Sequence, residues 1–120
     1  RLLIAADIEA KVEAGMLQRD AASLPADVLV VPHHGSRSSS STPWLSAVRP
    51  RLALISAGYR NRFGHPAEAV VNRYEQLGAQ VLNTADSGAV AMRCEPDEPE
   101  LRASRYREHS GRYWHHWALR

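Results

Sequence analysis

Apolar residues fall in short, separated runs along this chain, with polar or glycine-rich stretches between them. Residues 2–6 (Leu-Leu-Ile-Ala-Ala), 28–31 (Val-Leu-Val-Val) and 52–56 (Leu-Ala-Leu-Ile-Ser) are continuous apolar segments of strand length. Runs without alternation are the pattern of strands buried on both faces of a sheet. Between them the spacing turns helical. Residues 9–18 hold helix formers, with Val12, Met16 and Leu17 near one face and Gly15 weakening the pattern. Thr42-Pro43 predicts a helix start, Thr42 as cap and Pro43 as first helical residue, for a short helix over 43–48. Residues 66–77 predict a third helix with Val70, Val71, Tyr74 and Leu77 inward, and Gly78 just past its end. Residues 80–83 and 89–94 predict two further strands, compatible with a hairpin through an Asp86-Ser87-Gly88 turn.

The resulting order is β-α-β-α-β-α-β-β, an α/β chain. Alternating strands and helices imply right-handed crossovers and a largely parallel sheet. Loops that follow parallel strands share one edge of the sheet, where ligands bind. Asp7, the His33-His34 pair, the loop from residue 57 to 66 and the Asp86 turn each follow a strand. The topology therefore predicts that they converge, although they are far apart in sequence.

Composition adds bounds. The 120 residues suffice for one domain, 44% hydrophobic and 23% charged, with a formal charge of +2. That balance permits an anionic partner without requiring one. The single cysteine, Cys94, excludes an internal disulfide and a cysteine-based zinc site. No apolar run approaches the roughly 18 residues that span a bilayer, and no signal-peptide pattern is present. The chain opens inside a strand without methionine, as a fragment of a longer protein would. From residue 95 the character changes: 95–100 is acidic and proline-rich, and 101–120 is rich in arginine, histidine and tryptophan without clear periodicity. This divides the chain into a domain over 1–94 and a tail over 95–120. Trp114, His115, His116 and Trp117 could suggest a metal or nucleic-acid site, but such tails more often pack or fray.

The chemistry-bearing residues each admit a plain reading. Asp7 is either a ligand or a cap for the following helix. His33-His34 follows a buried strand closed by Pro32, and Gly35 lets backbone approach closely or take a positive φ. Imidazole in that position suits metal binding, but also simple hydrogen bonding. Ser36 and the serine run 38–41 are either an anion-facing loop or a linker. His65 sits in Gly64-His65-Pro66, which a turn alone explains, and Asp86 reads as a turn residue. Arg60 and Arg62 are equally consistent with a DNA-backbone contact and with solvated surface.

Three spaced stretches together are more specific than any one. They are Leu2-Leu-Ile-Ala-Ala-Asp7-Ile-Glu9, Asp27-Val-Leu-Val-Val-Pro-His-His-Gly-Ser36, and Ile55-Ser-Ala-Gly-Tyr-Arg-Asn-Arg-Phe-Gly-His-Pro66. Over roughly residues 1–93 the chain resembles the metallo-β-lactamase superfamily, and within it the C-terminal hydrolase domain of the ComEC/Rec2 DNA-uptake family. The resemblance implies the C-terminal half of an αβ/βα sandwich. It implies two divalent ions, Zn or Mn, in the complete domain, with Asp7 bridging them. His34, directly before the glycine, is implied as a ligand, and His33 as a co-ligand or support. Ser36, Asn61, Arg60, Arg62 and His65 would then face the substrate phosphate, with His65 donating a proton or hydrogen bond.

Where the family has Thr-Gly before the aspartate, this chain has Ala5-Ala6, which could shift the aspartate's backbone. The superfamily's His-x-His-x-Asp-His motif does not occur here. Its ligands would come from a preceding half of the domain, so the isolated chain is expected to bind metal weakly, expose a sheet face and lack nuclease activity. Family context implies a bacterial inner-membrane parent with this domain at the outer face. Its partners would be incoming single-stranded DNA, the missing half-domain and the membrane channel. Another phosphoesterase of the superfamily and a non-catalytic DNA-guiding module are the alternatives.

Overall fold

The computed structural model describes residues 1–93, 101–110 and 112. Four strands, β1 (Leu2–Ile4), β2 (Val28–Val30), β3 (Leu52–Ile55) and β4 (Gln80–Asn83), form one sheet in the order β1-β2-β3-β4. All three pairings are parallel. The crossovers carry α1 (Ala10–Asp20), α2 (Thr42–Val48) and α3 (Glu68–Gln76). The predicted parallel α/β arrangement is present.

Register explains why the two sheet faces differ. Leu3, Leu29, Ala53 and Val81 lie in one cross-strand row, and all four pack with the helices in the main core. Trp44, Leu45, Val48, Val70 and Tyr74 close that core from the helix side, each fully buried. Burial of such side chains stabilises by about 1.5–3 kcal/mol apiece. The alternate rows point the other way. Val28, Leu52 and Leu82 are buried there beneath Val90, Met92, Leu101 and Ala103. These covering residues come from or adjoin a separate antiparallel pair, β5 (Val90–Arg93) with β6 (Arg102–Arg105). The cover stops short of β1, where Leu2 and Ile4 remain 59% and 66% exposed.

Several expectations are corrected. The fourth and fifth strands do not form a hairpin. β4 runs parallel to β3, and the chain then turns through α4 (Thr84–Ser87) into β5, which pairs with β6 instead. The sequence of β6, Arg-Ala-Ser-Arg, has no apolar signal, yet its Ala103 faces the sheet. A short helix, α5 (Tyr106–His109), follows it. The expected boundary at residue 94 and the residues 114–117 lie outside the described residues.

On α1, Met16 and Leu17 pack against the main core as expected, but Val12 does not. Val12 is 45% exposed whereas Glu13 is fully buried. Its carboxylate accepts hydrogen bonds from the backbone N–H groups of Ser40 (2.6 Å) and Ser41 (2.9 Å). Ser41, not Thr42, is the cap residue of α2; its side chain makes no capping hydrogen bond, and Glu13 instead accepts from the N–H of the cap residue itself and of the residue before it. At the end of α3, Gly78 takes φ +78°. The N–H groups of Gly78 and Ala79 return to the carbonyls of Glu75 and Tyr74, which satisfies the terminal carbonyls as the glycine predicted. Leu77, expected inward, is 46% exposed. Among the described residues no helix is long and apolar enough to cross a membrane.

Candidate functional site

The site is built where β1, β2 and β3 end. After β2, Pro32 is followed by three consecutive residues at positive φ: His33 (48°), His34 (55°) and Gly35 (81°). Each non-glycine residue there costs about 1–2 kcal/mol. Two adjacent histidines in this region are an outlier that the surroundings must impose. The His33 N–H donates to the Ala6 carbonyl (2.9 Å), tying the histidine loop to the end of β1. The Gly35 carbonyl accepts from the Ala67 N–H (2.9 Å), tying it to the start of α3. Gly35 has no freedom to be anything larger, since a Cβ there would lie 2.7 Å from Pro66 Cβ. The His65–Pro66 peptide packed against it is cis.

That backbone aims the side chains. His34 Nδ1 lies 2.7 Å from the Ser56 carbonyl. A carbonyl only accepts, so Nδ1 is the donor, and a neutral His34 ring presents its lone pair at Nε2. Nε2 lies 3.6 Å from Asp7 Oδ1. His33 Nδ1 lies 3.1 Å from Glu9 Oε1, which also accepts from Ser38 Oγ at 2.8 Å. The His33 ring is 6.5 Å from that of His34 and 5.9 Å from that of His65. Three imidazoles and two carboxylates from three loops therefore meet at one edge.

Other predicted residues take supporting places. Asn61 spends its side chain on its own loop: its amide donates to the carbonyls of Gly58 and His65, and its Oδ1 accepts from the His65 N–H at 3.0 Å. It thereby shapes the turn that presents His65. Ser36 is buried and shares a hydrogen bond with Ser38 Oγ (3.0 Å). Arg60 and Arg62 stack over Tyr59 and Phe63, with guanidinium carbons 5.3 and 4.8 Å from the ring centres. Asp86 is exposed, and its carbonyl accepts from Arg107; the α4 turn instead meets the loop root through Thr84, whose hydroxyl bonds both Ala57 N–H and carbonyl.

Ala6, which precedes Asp7, has an unusual backbone. It adopts φ +50°, a conformation that glycine favours and that an alanine takes at a steric cost.

Sequence reasoning gave Glu9 and Ser38 no role, although Glu9 stands two residues beyond Asp7 within a quoted motif. It also took the serine run as a loop or linker. Ser39 and Ser40 are buried, and Arg73 donates to both of their carbonyls. Ser40 Oγ shares a 2.9 Å hydrogen bond with the Tyr74 phenol. The run is a packed foundation beneath the histidines.

As a donor set, His34 Nε2 and the Asp7 carboxylate combine imidazole nitrogen and carboxylate oxygen, a pairing suited to zinc or manganese. Among the described residues no group of three or more His, Cys, Asp or Glu side chains could hold a metal ion. Two donors fill part of the three-ligand complement usual for catalytic zinc.

Comparison with known proteins found relatives with competence and recombination names. The chain is 43% identical over 89 residues to competence protein ComA of Neisseria gonorrhoeae, covering 74% of this chain and 13% of that protein. It is 38% identical over 104 residues to recombination protein 2 of Haemophilus influenzae, covering 87% and 13% respectively. ComE operon protein 3 of Bacillus subtilis is 37% identical over 71 residues, covering 59% and 9%. These relatives support the competence family of the ComEC/Rec2 kind. The chain spans only about an eighth of the length of the first two. No family model matches the chain, and no solved structure matches it.

Proposed function

We propose that this chain is the C-terminal half of a metallo-β-lactamase-like phosphodiesterase domain within a longer DNA-uptake protein, and that it processes incoming single-stranded DNA. One observation carries the reading: Ser56 fixes the His34 tautomer so that Nε2 is aimed at the Asp7 carboxylate. Hydrogen-bonded anchoring of the second ring nitrogen is the usual companion of a metal-ligating histidine. Asp7 and His34 would hold divalent ions, Zn or Mn, with His33, oriented by Glu9, beside them.

Two such ions supply a hydroxide nucleophile and neutralise charge on a phosphodiester during in-line displacement. The residues of this chain do the rest. His65 donates a hydrogen bond or proton to a phosphate oxygen. Ser36 faces that phosphate side, Asn61 holds His65 in place, and Arg60 and Arg62 attract the strand.

A single helix-backed sheet is what one half of an αβ/βα sandwich contributes. The uncovered Leu2 and Ile4 favour a second sheet packed at the β1 side, belonging to a preceding half of the domain that brings the remaining ligands. In this reading residues 1–94 form the domain, 95–120 a tail, and the parent resides in a bacterial inner membrane with this part at its outer face beside the channel.

The test is His34→Ala in the complete parent protein. Mn²⁺- or Zn²⁺-dependent cleavage of single-stranded DNA should fall at least about hundredfold, with one equivalent or more of metal lost by elemental analysis. Undiminished cleavage would sink the assignment. Running the wild-type parent on DNA, RNA, cyclic nucleotides and small phosphodiesters identifies a different phosphoesterase if DNA is not the preferred substrate. A second reading, a DNA-guiding module without catalysis, draws on the incomplete ligand set among the described residues. It requires the parent to bind DNA in a salt-dependent way while holding no metal.

A further inference from the structure

The loop from residue 57 to 66 carries a feature that hydrolysis does not use. Its only large apolar side chains, Tyr59 and Phe63, are 43% and 67% exposed. Each has the guanidinium of its neighbouring arginine over the ring. Pairs of this kind occur about once per 70–80 residues in proteins generally, and here two fall within five residues. Phe63 also stacks on His65, centroids 5.9 Å apart with the planes inclined by 19°. The Phe63–His65 pair forms the wall between two open hollows. One, of about 460 Å³, contains His34, Ser56 and Asn61. The other, of about 440 Å³, contains Ser36, Arg37 and Glu68.

We infer that Phe63 is a base-stacking platform that selects unpaired nucleic acid for the site at His34. The inference rests on the proposed phosphodiester chemistry and names what recognises the strand. A phosphate in the first hollow leaves the adjoining base beside an exposed ring already aligned with the His65 imidazole. An aromatic face accepts any base, because every base has a π-face. Only an unpaired base can present that face, since in a duplex both faces are covered by neighbours in the stack. Arg62 completes the arrangement: its guanidinium rests where a base would stack, and the long side chain can exchange that position for a phosphate oxygen. Tyr59 and Arg60 repeat the pair at the other end of the loop and extend the track to a neighbouring nucleotide.

Phe63 is the single phenylalanine of these 120 residues; para-fluorophenylalanine placed site-specifically at position 63 of the complete parent protein reports on it alone by fluorine NMR. Short oligothymidine should shift this resonance, whereas an abasic deoxyribose-phosphate strand of equal length and a fully paired duplex should not. Fluorescence anisotropy should show that Phe63→Ala and Phe63→Leu each weaken oligothymidine binding about tenfold, with Phe63→Trp retaining it. Leucine keeps apolar bulk without a π-face, so equal binding by Phe63→Leu overturns stacking. An unmoved resonance while oligothymidine binds also overturns it, and leaves the phosphodiesterase reading standing. Absence of binding to any of the three strands overturns both stacking and the DNA substrate. A resonance that shifts only with protein concentration overturns it in favour of a protein contact at Phe63.

Discussion

Two loops flank the candidate site, and they are held by opposite means. The histidine loop rests on buried polar structure: Ser39, Ser40 and the carboxylate of Glu13 lie beneath it with almost no solvent contact. The loop from residue 57 to 66 is braced by its own Asn61 side chain and exposes its aromatic rings. In a low-dielectric foundation, each polar group has one satisfied arrangement, and departures are costly. A surface loop pays little to adjust. The difference assigns a fixed geometry to the side that would hold metal, and tolerance to the side that would meet a strand of varying sequence.

Substitutions can break that contrast. The largest effect is expected from Glu13→Ala, which leaves the Ser40 and Ser41 N–H groups buried without an acceptor. The loss should be about 4 kcal/mol, read from denaturant unfolding; a loss under 1 kcal/mol would show that the foundation is not rigid.

Tyr74 gives a smaller and pH-dependent effect. Burial pushes its phenol above the ordinary range, with the Ser40 hydrogen bond opposing and the Glu13 charge adding to the rise. The folded chain thus keeps this proton where the unfolded chain loses it. Its stability contribution is complete below about pH 10 and declines as pH rises beyond that. Tyr74→Phe should lose about 1 kcal/mol at neutral pH and flatten this alkaline slope in urea midpoints.

Ala6→Gly should instead stabilise by about 1 kcal/mol, by relieving the left-handed alanine. A lowered thermal midpoint would contradict that account of the β1 end. Smallest in stability is Asn61→Ala, expected within about 0.5 kcal/mol of wild type. Hydrogen exchange at the His65 amide should nevertheless quicken, because Asn61 Oδ1 is its acceptor. Unchanged exchange would mean that the loop is held by something other than its own brace.

These contrasts also mark what could be read in advance. The strands of the parallel sheet were legible because unbroken apolar runs such as Val28–Val30 have few other uses. Gly78 was legible because the end of α3 needs a positive φ. Convergence of Asp7, His33, His34 and the His65 loop followed from topology alone. Glu13 was not legible, since a carboxylate among helix formers signals a solvated face. Its acceptors' partners are backbone groups some twenty-seven residues away in sequence, which leave no mark in side-chain pattern. The strand β6 escaped for a related reason: two arginines outweigh the one alanine that touches the sheet. Glu9 and Ser38 act on His33 from different loops, a relation that no local spacing encodes.

The hairpin over the second sheet face has a consequence in time as well as space. All four strands of the parallel sheet precede residue 90, whereas half of the cover comes from Leu101 and Ala103. During synthesis at ~5–20 residues per second, Val28, Leu52 and Leu82 wait a second or more for their lid after the last strand of the sheet has been made. A ribosome that pauses between the two hairpin strands would lengthen the interval in which a nascent chain is sticky.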